Sequence, residues 1–599
     1  MTVAEKKSIP RTSVMLDRLA ILFFGRYGRK LARTFELEKV IREAGLEVFP
    51  SIYAARLLLY TSLSLLVSLL TIILILLSSL SIISKVILVV VLGFIPIMVF
   101  VTGLIYPSTK KGSRQRGVDS ELPYMAAYMS IMARAGMAPE KIVEMLANLK
   151  VFKAIREEAL RIVRDMKIFG FDPLTAIEHN AYVHPSRDYK EFMLGYVTAV
   201  RTGGDIIHYL EIRTQEIFQR HSDKIKSIAG RVGLIIEAYI TLAIIGTLSF
   251  YVFFIVSGII PVAKISFGGI NGLILYSFVL MPLFTLAMIM AIDSAQPKTP
   301  SYHKEPYAWL LLSIPLGVLV VLVLISLTGS YKILLGETPS IEDISMLSIS
   351  VMSGLIAVSA GPAYSYLSIM RRERRIHHSL AEFIRDLAEV RKTGLSPEKS
   401  IIMLAERDYG VLTPIVRRLA GALATGLSVH RALRESLRGY RDWFLLVNMR
   451  ILSDAIEVGG GSPTILDAMA RYVSTLASLI EELRRRLRAY SYLPYFGSIL
   501  VAVSSILVIT MLSQSLTTIL GRGTIAGVSI KLAKEDVALL LLTTSIGSIF
   551  NAWLMGLMVG KVQTTVTAAG FMHSIILTVL TTLVSVAVIV FTAQGILGS

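Results

Sequence analysis

The glycine and lysine string near the C-terminus is the closest approach in this sequence to a phosphate-binding loop. It reads GLMVGKV over residues 556–562, with three residues between the glycines rather than four and no Ser or Thr after Lys561. The string also lies within an apolar stretch, where small residues allow helices to pack closely and a lysine can extend its amine to the membrane surface. We therefore predict a helix-packing face, with Lys561 reaching the inner membrane surface, and no nucleotide site.

The histidines do not form a catalytic or metal-binding pattern. His377 and His378 are adjacent and would point to different faces of a helix, and His208, His221 and His430 stand alone. The sequence contains neither HExxH nor GxSxG, and it has no cysteine. We therefore expect no catalytic residue, no metal ligand and no bound cofactor.

Glu237 stands out as an acid within a long apolar stretch, residues 232–257. An acid inside a spanning helix is a functional candidate, but the helix could enter the membrane later and leave this carboxylate at the interface. We favour the interfacial interpretation. Pro96, Pro282 and Pro315 break other apolar stretches without a paired polar residue, so solute transport is the weaker hypothesis.

The elements that would position any such chemistry are mostly membrane helices. The chain has 599 residues, of which 54% are hydrophobic and 17% are charged, whereas average soluble proteins are about 25% charged. A spanning helix needs about 20 apolar residues, and nine stretches meet this requirement. They lie at residues 53–78, 83–106, 232–257, 271–292, 307–329, 344–367, 491–514, 536–560 and 571–594.

Two long charged segments separate these stretches, and basic residues concentrate beside them. Loops between paired spans contain few Lys and Arg residues. Because basic residues are retained on the cytoplasmic side of a membrane, we expect the N-terminus and both charged segments to be cytoplasmic. An odd number of spans then places the C-terminus outside. The same bias accounts for the net charge of +18 without a nucleic-acid partner.

The two charged segments repeat one pattern of glycines. Gly136 opens the string GMAPEK in the first segment, and Gly394 opens GLSPEK in the second. Further glycines follow after 34 and 33 residues in the first copy, and after 32 and 33 residues in the second. These later positions are Gly170, Gly203 and Gly204 in the first copy, and Gly426, Gly459 and Gly460 in the second. The agreement indicates an internal duplication.

Each glycine string has the chemistry of a turn between two helices. Glycine takes the left-handed conformation just beyond a helix end, and a proline such as Pro139 or Pro397 fits the first turn of the next helix. Three such turns per copy predict a bundle of about six helices. We interpret the glycines as structural caps. The expected fold class is all-α, a polytopic membrane protein with two homologous cytoplasmic helical bundles.

The segment before the first span, residues 1–50, differs from the spans in carrying both basic and acidic residues. Residues 1–50 lack the apolar core of a signal peptide and are expected to form a cytoplasmic, partly helical segment. Its basic cluster, suited to a membrane surface or an acidic partner, comprises Arg26, Arg29, Lys30 and Arg33. The remaining chain divides into spans one and two (51–106), the first bundle (107–230), spans three and four (231–293), a cytoplasmic linker (294–306), spans five and six (307–367), the second bundle (368–490) and spans seven to nine (491–599).

Two helical bundles with paired glycine strings, set between membrane spans, resemble the F-domain family of type II secretion and type IV pilus systems. The resemblance is carried by residues 136–141 and 394–399 and by the turns at Gly203 and Gly459, and it covers nearly all of residues 107–593. Nine spans, two bundles in one chain and no cysteine most resemble the archaeal branch of this family, which serves archaeal pili and the archaellum.

The resemblance implies a platform protein without catalysis, placed beneath the base of a filament. A hexameric secretion ATPase would dock on the bundles, and its motion would help to insert pilin-like subunits. Anionic membrane lipid and a second copy of the chain, as a homodimer, are the other expected partners. A transporter, a protein-conducting channel and a signalling receptor are the alternatives. The residues expected to contact the ATPase or lipid are Arg114, Arg116, Arg371, Arg372, Arg374, Arg375, Arg484, Arg485 and Arg486.

Overall fold

The chain folds almost entirely into helices. The computed structural model describes residues 11–78, 82–259, 269–296, 305–334, 337–373, 375–520 and 534–597, and none of these residues belongs to a strand. The all-α prediction is confirmed. Contacts between helices divide the chain into two compact units, residues 1–217 and 218–599.

The first unit contains the N-terminal segment, the first hairpin of spans and most of the first bundle. Its helices are α1 (Arg11–Thr34), α2 (Leu37–Ala44), α3 (Pro50–Leu77), α4 (Ile82–Arg134), α5 (Pro139–Asn148), α6 (Ala154–Lys167), α7 (Pro173–Val183), α8 (Arg187–Arg201) and the start of α9 (Ile206–Ile259).

The second unit contains the rest of α9, the second bundle and the remaining spans. Its other helices are α10 (Gly269–Leu275), a π-helical turn (Tyr276–Leu280), α11 (Met281–Ala295), α12 (Glu305–Thr328), α13 (Tyr331–Leu334), α14 (Ile341–Glu373), α15 (Ile376–Arg391), α16 (Pro397–Leu404), α17 (Thr413–Ala424), α18 (Val429–Ser436), α19 (Trp443–Gly459), α20 (Pro463–Tyr490), α21 (Leu493–Leu520), α22 (Lys534–Thr564) and α23 (Gly570–Leu597).

Nine helical stretches in the described part of the chain are long and apolar enough to cross a membrane. The prediction of nine spans is confirmed. Several predicted connections lie wholly or partly outside the described residues: the polar turn at 78–81, the linker 294–306, and the loops 258–270, 330–343 and 515–535.

The first bundle shares its first and last helices with membrane spans. Helix α4 is 53 residues long and runs from the second span into the bundle, and α9 is 54 residues long and runs from the bundle into the third span. No left-handed glycine interrupts either helix, and α4 continues through Pro107, where its composition changes. The change from charged to apolar composition therefore marks a change of environment rather than an end of a helix.

The string GLMVGKV lies on α22 and packs against α23, as predicted. A Cβ added to Gly556 would lie 2.2 Å from the Cα of Ser574, and one added to Gly560 would lie 1.9 Å from the backbone nitrogen of Gly570. Any side chain at these two positions would therefore separate the helices. The side chain of Lys561 is only 9% exposed, and its Nζ donates to Oδ1 of Asp293 at 2.5 Å. Its position at the inner membrane surface stays a prediction.

Candidate functional site

The turns of the first bundle end their helices with glycine in the left-handed conformation. Gly136 has a φ of +78°, and the amide of Met137 donates to the carbonyl of Met132 at 3.2 Å, which is the pattern of a Schellman cap. A Cβ at Gly136 would meet no atom within 4 Å, so the backbone angle rather than lack of space requires glycine here. Pro139 is in the first turn of α5. The φ angles of Gly170 and Gly203 are also positive, while Gly204 is not among the left-handed residues.

The second bundle repeats these turns with one difference of register. Gly394 and Gly426 have positive φ, and Pro397 begins α16. At the last turn the left-handed residues are Gly460 and Gly461, whereas Gly459 is the final residue of α19. Helix α19 thus ends directly before its first left-handed glycine, whereas α8 ends at Arg201, two residues before Gly203. In the first bundle the corresponding left-handed residue is Gly203.

Each bundle joins its first helix to its sixth at the glycine end. In the second bundle, Arg391 Nε donates to the carbonyl of Gly461 at 2.9 Å, and Lys392 pairs with Asp467 at 3.4 Å. In the first bundle, Arg134 at the end of α4 pairs with Glu211 on α9. In each bundle these contacts join the turn after the first helix to the turn before the sixth helix, which is consistent with a structural role for the glycines.

A buried group of charged side chains lies at the centre of the first bundle. Glu158 on α6 is 2% exposed, and it accepts hydrogen bonds from Arg114 Nε at 2.8 Å and Arg114 Nη2 at 2.6 Å. Arg161 donates to the same carboxylate at 2.7 Å, and Asn180 donates at 3.1 Å. The side chain of His184 is fully buried, with its Nε2 3.9 Å from Glu158. Three helices of the bundle, α4, α6 and α7, therefore meet at one carboxylate.

Burial and charge shift the pKa values of this group in defined directions. Burial alone would raise the pKa of Glu158, but the hydrogen bond and charge of Arg114, with the charge of Arg161, outweigh it and lower the pKa to about 2. Burial also lowers the pKa of His184 to about 3, because the neutral imidazole needs less solvation than the imidazolium, and the two arginines add to this effect although Glu158 opposes it. At neutral pH the carboxylate is therefore charged and the imidazole neutral.

The same group attaches the N-terminal segment to the first bundle. Arg114 Nη1 donates to the backbone carbonyl of Glu43 at 2.8 Å, and Lys111 forms an ion pair with the Glu43 carboxylate. Arg164 pairs with Glu47 at 2.5 Å. Only 10% of the Arg114 side chain is exposed. Sequence reasoning placed Arg114 on a partner-binding surface, but the structure uses its guanidinium inside the unit, so we leave it out of the proposed contact surface.

The other predicted contact residues have different surroundings. Arg116, Arg371, Arg375, Arg484 and Arg485 are exposed. Arg486 is also exposed, but it is held by Glu482 one turn earlier at 2.8 Å. The side chain of Arg372, and Arg374 as a whole, lie outside the described residues. The structure thus leaves two exposed arginine groups on the second bundle, one at the end of α14 and one near the end of α20.

The two bundles place a polar residue of the first helix against the N-cap of the fifth helix. Asp119 and His377 occupy the same position relative to Gly136 and Gly394. Asp119 accepts from the N-cap hydroxyl of Ser186 at 2.5 Å, and His377 lies 3.0 Å from the N-cap carboxylate of Asp442. Burial would raise the pKa of Asp442, but His377 and the Leu445 amide lower it. The contact between the first helix and the N-cap of the fifth helix is therefore present in both bundles. The first helix contributes an acid to it in the first bundle and a histidine in the second.

His430 is not isolated, contrary to the sequence prediction. It lies with Asp454 and Glu457 in a cluster whose ligand atoms are within 4.8 Å of one another, the kind of group that could hold a metal ion. Arg450 enters the same cluster, with Nη2 3.1 Å from Asp454 and Nη1 2.9 Å from His430 Nε2. Burial lowers the pKa of His430, and Arg450 and Arg434 lower it further. The guanidinium supplies the positive charge that the acids require, so we assign no metal site here.

The spans of the second unit contain paired polar side chains, which the sequence prediction did not expect beside Pro282. Because Pro282 has no N–H, the α-helical hydrogen bonding is broken before it, and residues Tyr276–Leu280 form a π-helical turn. The amide of Asn551 donates to the carbonyl of Ser277 at 3.2 Å, and the Tyr251 hydroxyl lies 3.1 Å from the Ser277 hydroxyl. These bonds stabilise the irregular backbone inside the helix bundle. Glu237 is exposed on α9, and its interfacial placement stays a prediction.

These features define a multi-pass membrane protein with two homologous helical bundles. The model of the family described as type II secretion system, protein F, matches residues 125–254 and again residues 383–513. Each matched stretch includes most of a bundle and most of the span that follows it. The chain therefore carries the type II secretion system F domain twice. Members of this family are non-catalytic membrane platform proteins of secretion or pilus systems.

The comparisons with individual proteins are less informative about function. The chain is 21% identical to an uncharacterized protein of Methanocaldococcus jannaschii over 449 residues, which cover 68% of this chain and 72% of that protein. No solved structure matches the chain. The family matches are also narrower than the predicted resemblance over residues 107–593, because they leave out residues 107–124, 255–382 and 514–593.

Proposed function

We propose that the chain is the membrane platform of a type IV pilus-like machine in an archaeal cell membrane. It docks a hexameric secretion ATPase and couples the motion of that ATPase to the insertion of pilin-like subunits. Proteins of this family generally interact with such ATPases and pilins. The observation that carries the proposal is the continuity of α4 between the second span and the first bundle. A continuous helix can carry a displacement of the bundle into the membrane.

The proposal includes a topology with the N-terminus and both bundles in the cytoplasm and the C-terminus outside. The support is the concentration of Lys and Arg beside the bundles. Because the chain has no cysteine, single cysteines can be introduced and labelled without background. A cysteine at exposed Lys150 should react with a membrane-impermeant maleimide only after the cells are opened, whereas a cysteine at Ser599 should react in intact cells. The reverse result would overturn this topology.

The exposed arginines of the second bundle are the proposed contacts to the ATPase or to anionic lipid. Arg371 and Arg375 lie just beyond the sixth span, where an acidic protein surface and lipid headgroups are both within reach. The double variant Arg371→Glu, Arg375→Glu should reduce co-purification of the ATPase with the full chain. Added salt should weaken the wild-type complex in the same direction, because exposed charge pairs are screened.

A matched control separates this contact from a general loss of charge. Arg417 and Arg438 are exposed residues of the same bundle, and reversing both to Glu changes the net charge by the same amount. The control should retain the ATPase. If both double variants lose it equally, the contact is not at Arg371 and Arg375. If filaments still assemble after deletion of the gene in a strain without a paralogue, the platform function itself is refuted.

One observation favours the alternative of a transporter or protein-conducting channel. Within the described residues, five buried side chains of α22 and α23 have a polar atom without a hydrogen-bond partner: Thr544, Ser548, Asn551, Thr581 and Ser585. Such atoms could line a path for water or solute. Solute or proton flux through the purified protein in liposomes would support this alternative, and its absence would leave these side chains as helix-packing groups.

A further inference from the structure

A cleft of about 920 Å³ opens in the first unit between the N-terminal segment and the first bundle. One wall is formed by α1 and α2, and the other by the end of α7 and the start of α8. Its charged lining includes Arg29, Arg33, Glu36, Lys39, Arg42 and Lys190. The volume is within the usual range for sites that bind small molecules.

The charges left free in this cleft are mostly positive. Arg42 pairs with Glu38 at 3.0 Å, and Glu43, which also lines the cleft, pairs with Lys111. Within residues 11–78 and 82–259, no ion pair is formed by the lining residues Arg29, Arg33, Lys39 and Lys190 or by the one remaining acid, Glu36. The cleft therefore presents four unpaired basic groups and one acid, and an anion would be attracted to it.

The position of α1 places this cleft beside a membrane span. A Cβ on Gly28 would lie 2.9 Å from the carbonyl oxygen of Ser51, so α1 touches the first turn of α3. Asp17, nearer the start of α1, accepts a hydrogen bond from Arg56 Nη2 at 2.5 Å. Helix α1 thus runs alongside the beginning of the first span. Pro50 and Ser51, which open that span, also line the cleft.

The first half of α1 has an exposed apolar stripe. Met15, Leu19, Leu22 and Phe23 recur at helical spacing, and Leu22 is 76% exposed. An apolar face on a helix that lies beside a spanning helix is suited to contact acyl chains, while its basic half stays at the level of the headgroups. The basic half of α1, with Arg29 and Arg33, is the half that lines the cleft.

We propose that the cleft binds the phosphate of an anionic membrane lipid. The guanidinium of Arg33 offers a planar pair of donors that matches two phosphate oxygens, and the amines of Lys39 and Lys190 add point charges from the two walls. The acyl chains would extend past the apolar stripe of α1. The site ties the N-terminal segment, the first bundle and the membrane surface to one ligand, and it is independent of the platform function.

Native mass spectrometry of the full chain tests this site. The protein is extracted with a mild detergent, loaded with phosphatidylglycerol, and the bound copies are counted as lipid is diluted. The double variant Arg33→Gln, Lys39→Gln should bind the tightest copy about 25-fold more weakly, since each basic residue near an anionic surface contributes about fivefold. Lys141→Gln, Lys150→Gln removes the same charge from exposed positions outside the cleft and should bind as wild type does.

Three results would overturn the proposal. Equal losses in both double variants would mean that the lipid follows total charge rather than this cleft. Displacement of the lipid by soluble glycerol phosphate at equal concentration would assign the cleft to a free phosphate ester instead of a lipid. If the first double variant does not fold, Lys190→Gln on the opposite wall replaces it, and binding as tight as in wild type would then contradict the site.

Discussion

Replacing His184 by Asn should make the first bundle less sensitive to acid. The imidazole is fully buried and its Nδ1 accepts the amide N–H of Ser186 at 3.0 Å. Asparagine can offer its side-chain carbonyl to the same N–H, because short amides commonly bond the backbone two residues on. The substitution therefore keeps the local hydrogen bond and removes the group that titrates.

The size of the effect follows from the pKa of His184. It is 6.5 in the unfolded chain and about 3 in the folded bundle, so the unfolded state binds the proton more readily. Stability is then unaffected above pH 6.5 and is lost as the pH falls from 6.5 towards 3. At pH 5 the loss is about 2 kcal/mol, or about 30-fold in the opening equilibrium, at 1.36 kcal/mol per pH unit.

Cysteine reactivity can measure this local opening in the complete protein. The chain has no cysteine of its own, so a single cysteine at buried Ala127 in α4 reports opening of the bundle. A single cysteine at exposed Lys150 corrects for the effect of pH on the thiol itself. Between pH 7 and pH 5 the corrected labelling of Ala127→Cys should rise about 30-fold with His184 present.

With His184→Asn the same corrected labelling should change little over this range. Glu158 does not confuse the comparison, because its folded pKa of about 2 keeps it charged at both pH values. An equal rise in labelling with and without His184 would refute the reasoning, since another group would then carry the acid sensitivity. A large rise at pH 7 caused by the substitution would instead show that Asn does not replace the hydrogen bond to Ser186.

Three further substitutions test separate parts of the structure by thermal unfolding in detergent. Gly560→Leu should destabilise the packing of α22 against α23 by several kcal/mol, because the new side chain would overpack the contact between the helices. Gly421→Ala is the control. A Cβ at Gly421 meets no atom within 4 Å, so this substitution should not destabilise its helix. Arg375→Gly should raise the free energy of unfolding by about 0.5–1 kcal/mol, because Arg375 has a φ of +63° and glycine adopts this conformation without strain. Arg375→Ala removes the same charge but keeps a Cβ. An equal gain from Arg375→Ala would therefore show that loss of charge, rather than relief of strain, is the cause. Arg114→Ala should cost about 3–5 kcal/mol by leaving Glu158 buried without its main partner, and Arg116→Ala should be neutral because Arg116 is exposed.

The features that the sequence could predict are those set by local physics. Spans follow from about 20 consecutive apolar residues, and turns such as that at Gly136 follow from the left-handed conformation that glycine permits. The repeat made both signals stronger, because the same string recurs in two places. The register of the last turn was missed by one residue, since three consecutive glycines allow the helix to end at any of them.

The contacts that the sequence could not predict join residues far apart in the chain. Arg114 and its partner Glu158 are 44 residues apart, and Lys561 and Asp293 are 268 apart. In the sequence, an arginine that faces lipid beside a span cannot be told from one that pairs with a buried carboxylate. A search for unpaired acids on the amphipathic helix α6 could have found the partner, because Glu158 falls on its apolar face with Ile155 and Ile162.

The two F domains follow the spans before them in different ways, although they share one pattern of helices. In the first, α4 passes from span to bundle without a break, and Arg114 on that helix is fixed to Glu158. In the second, α14 ends at Glu373, and α15 begins after Arg375 in the left-handed conformation. The first bundle is thus joined to the span before it by a continuous helix, whereas a left-handed residue stands at the start of the second bundle.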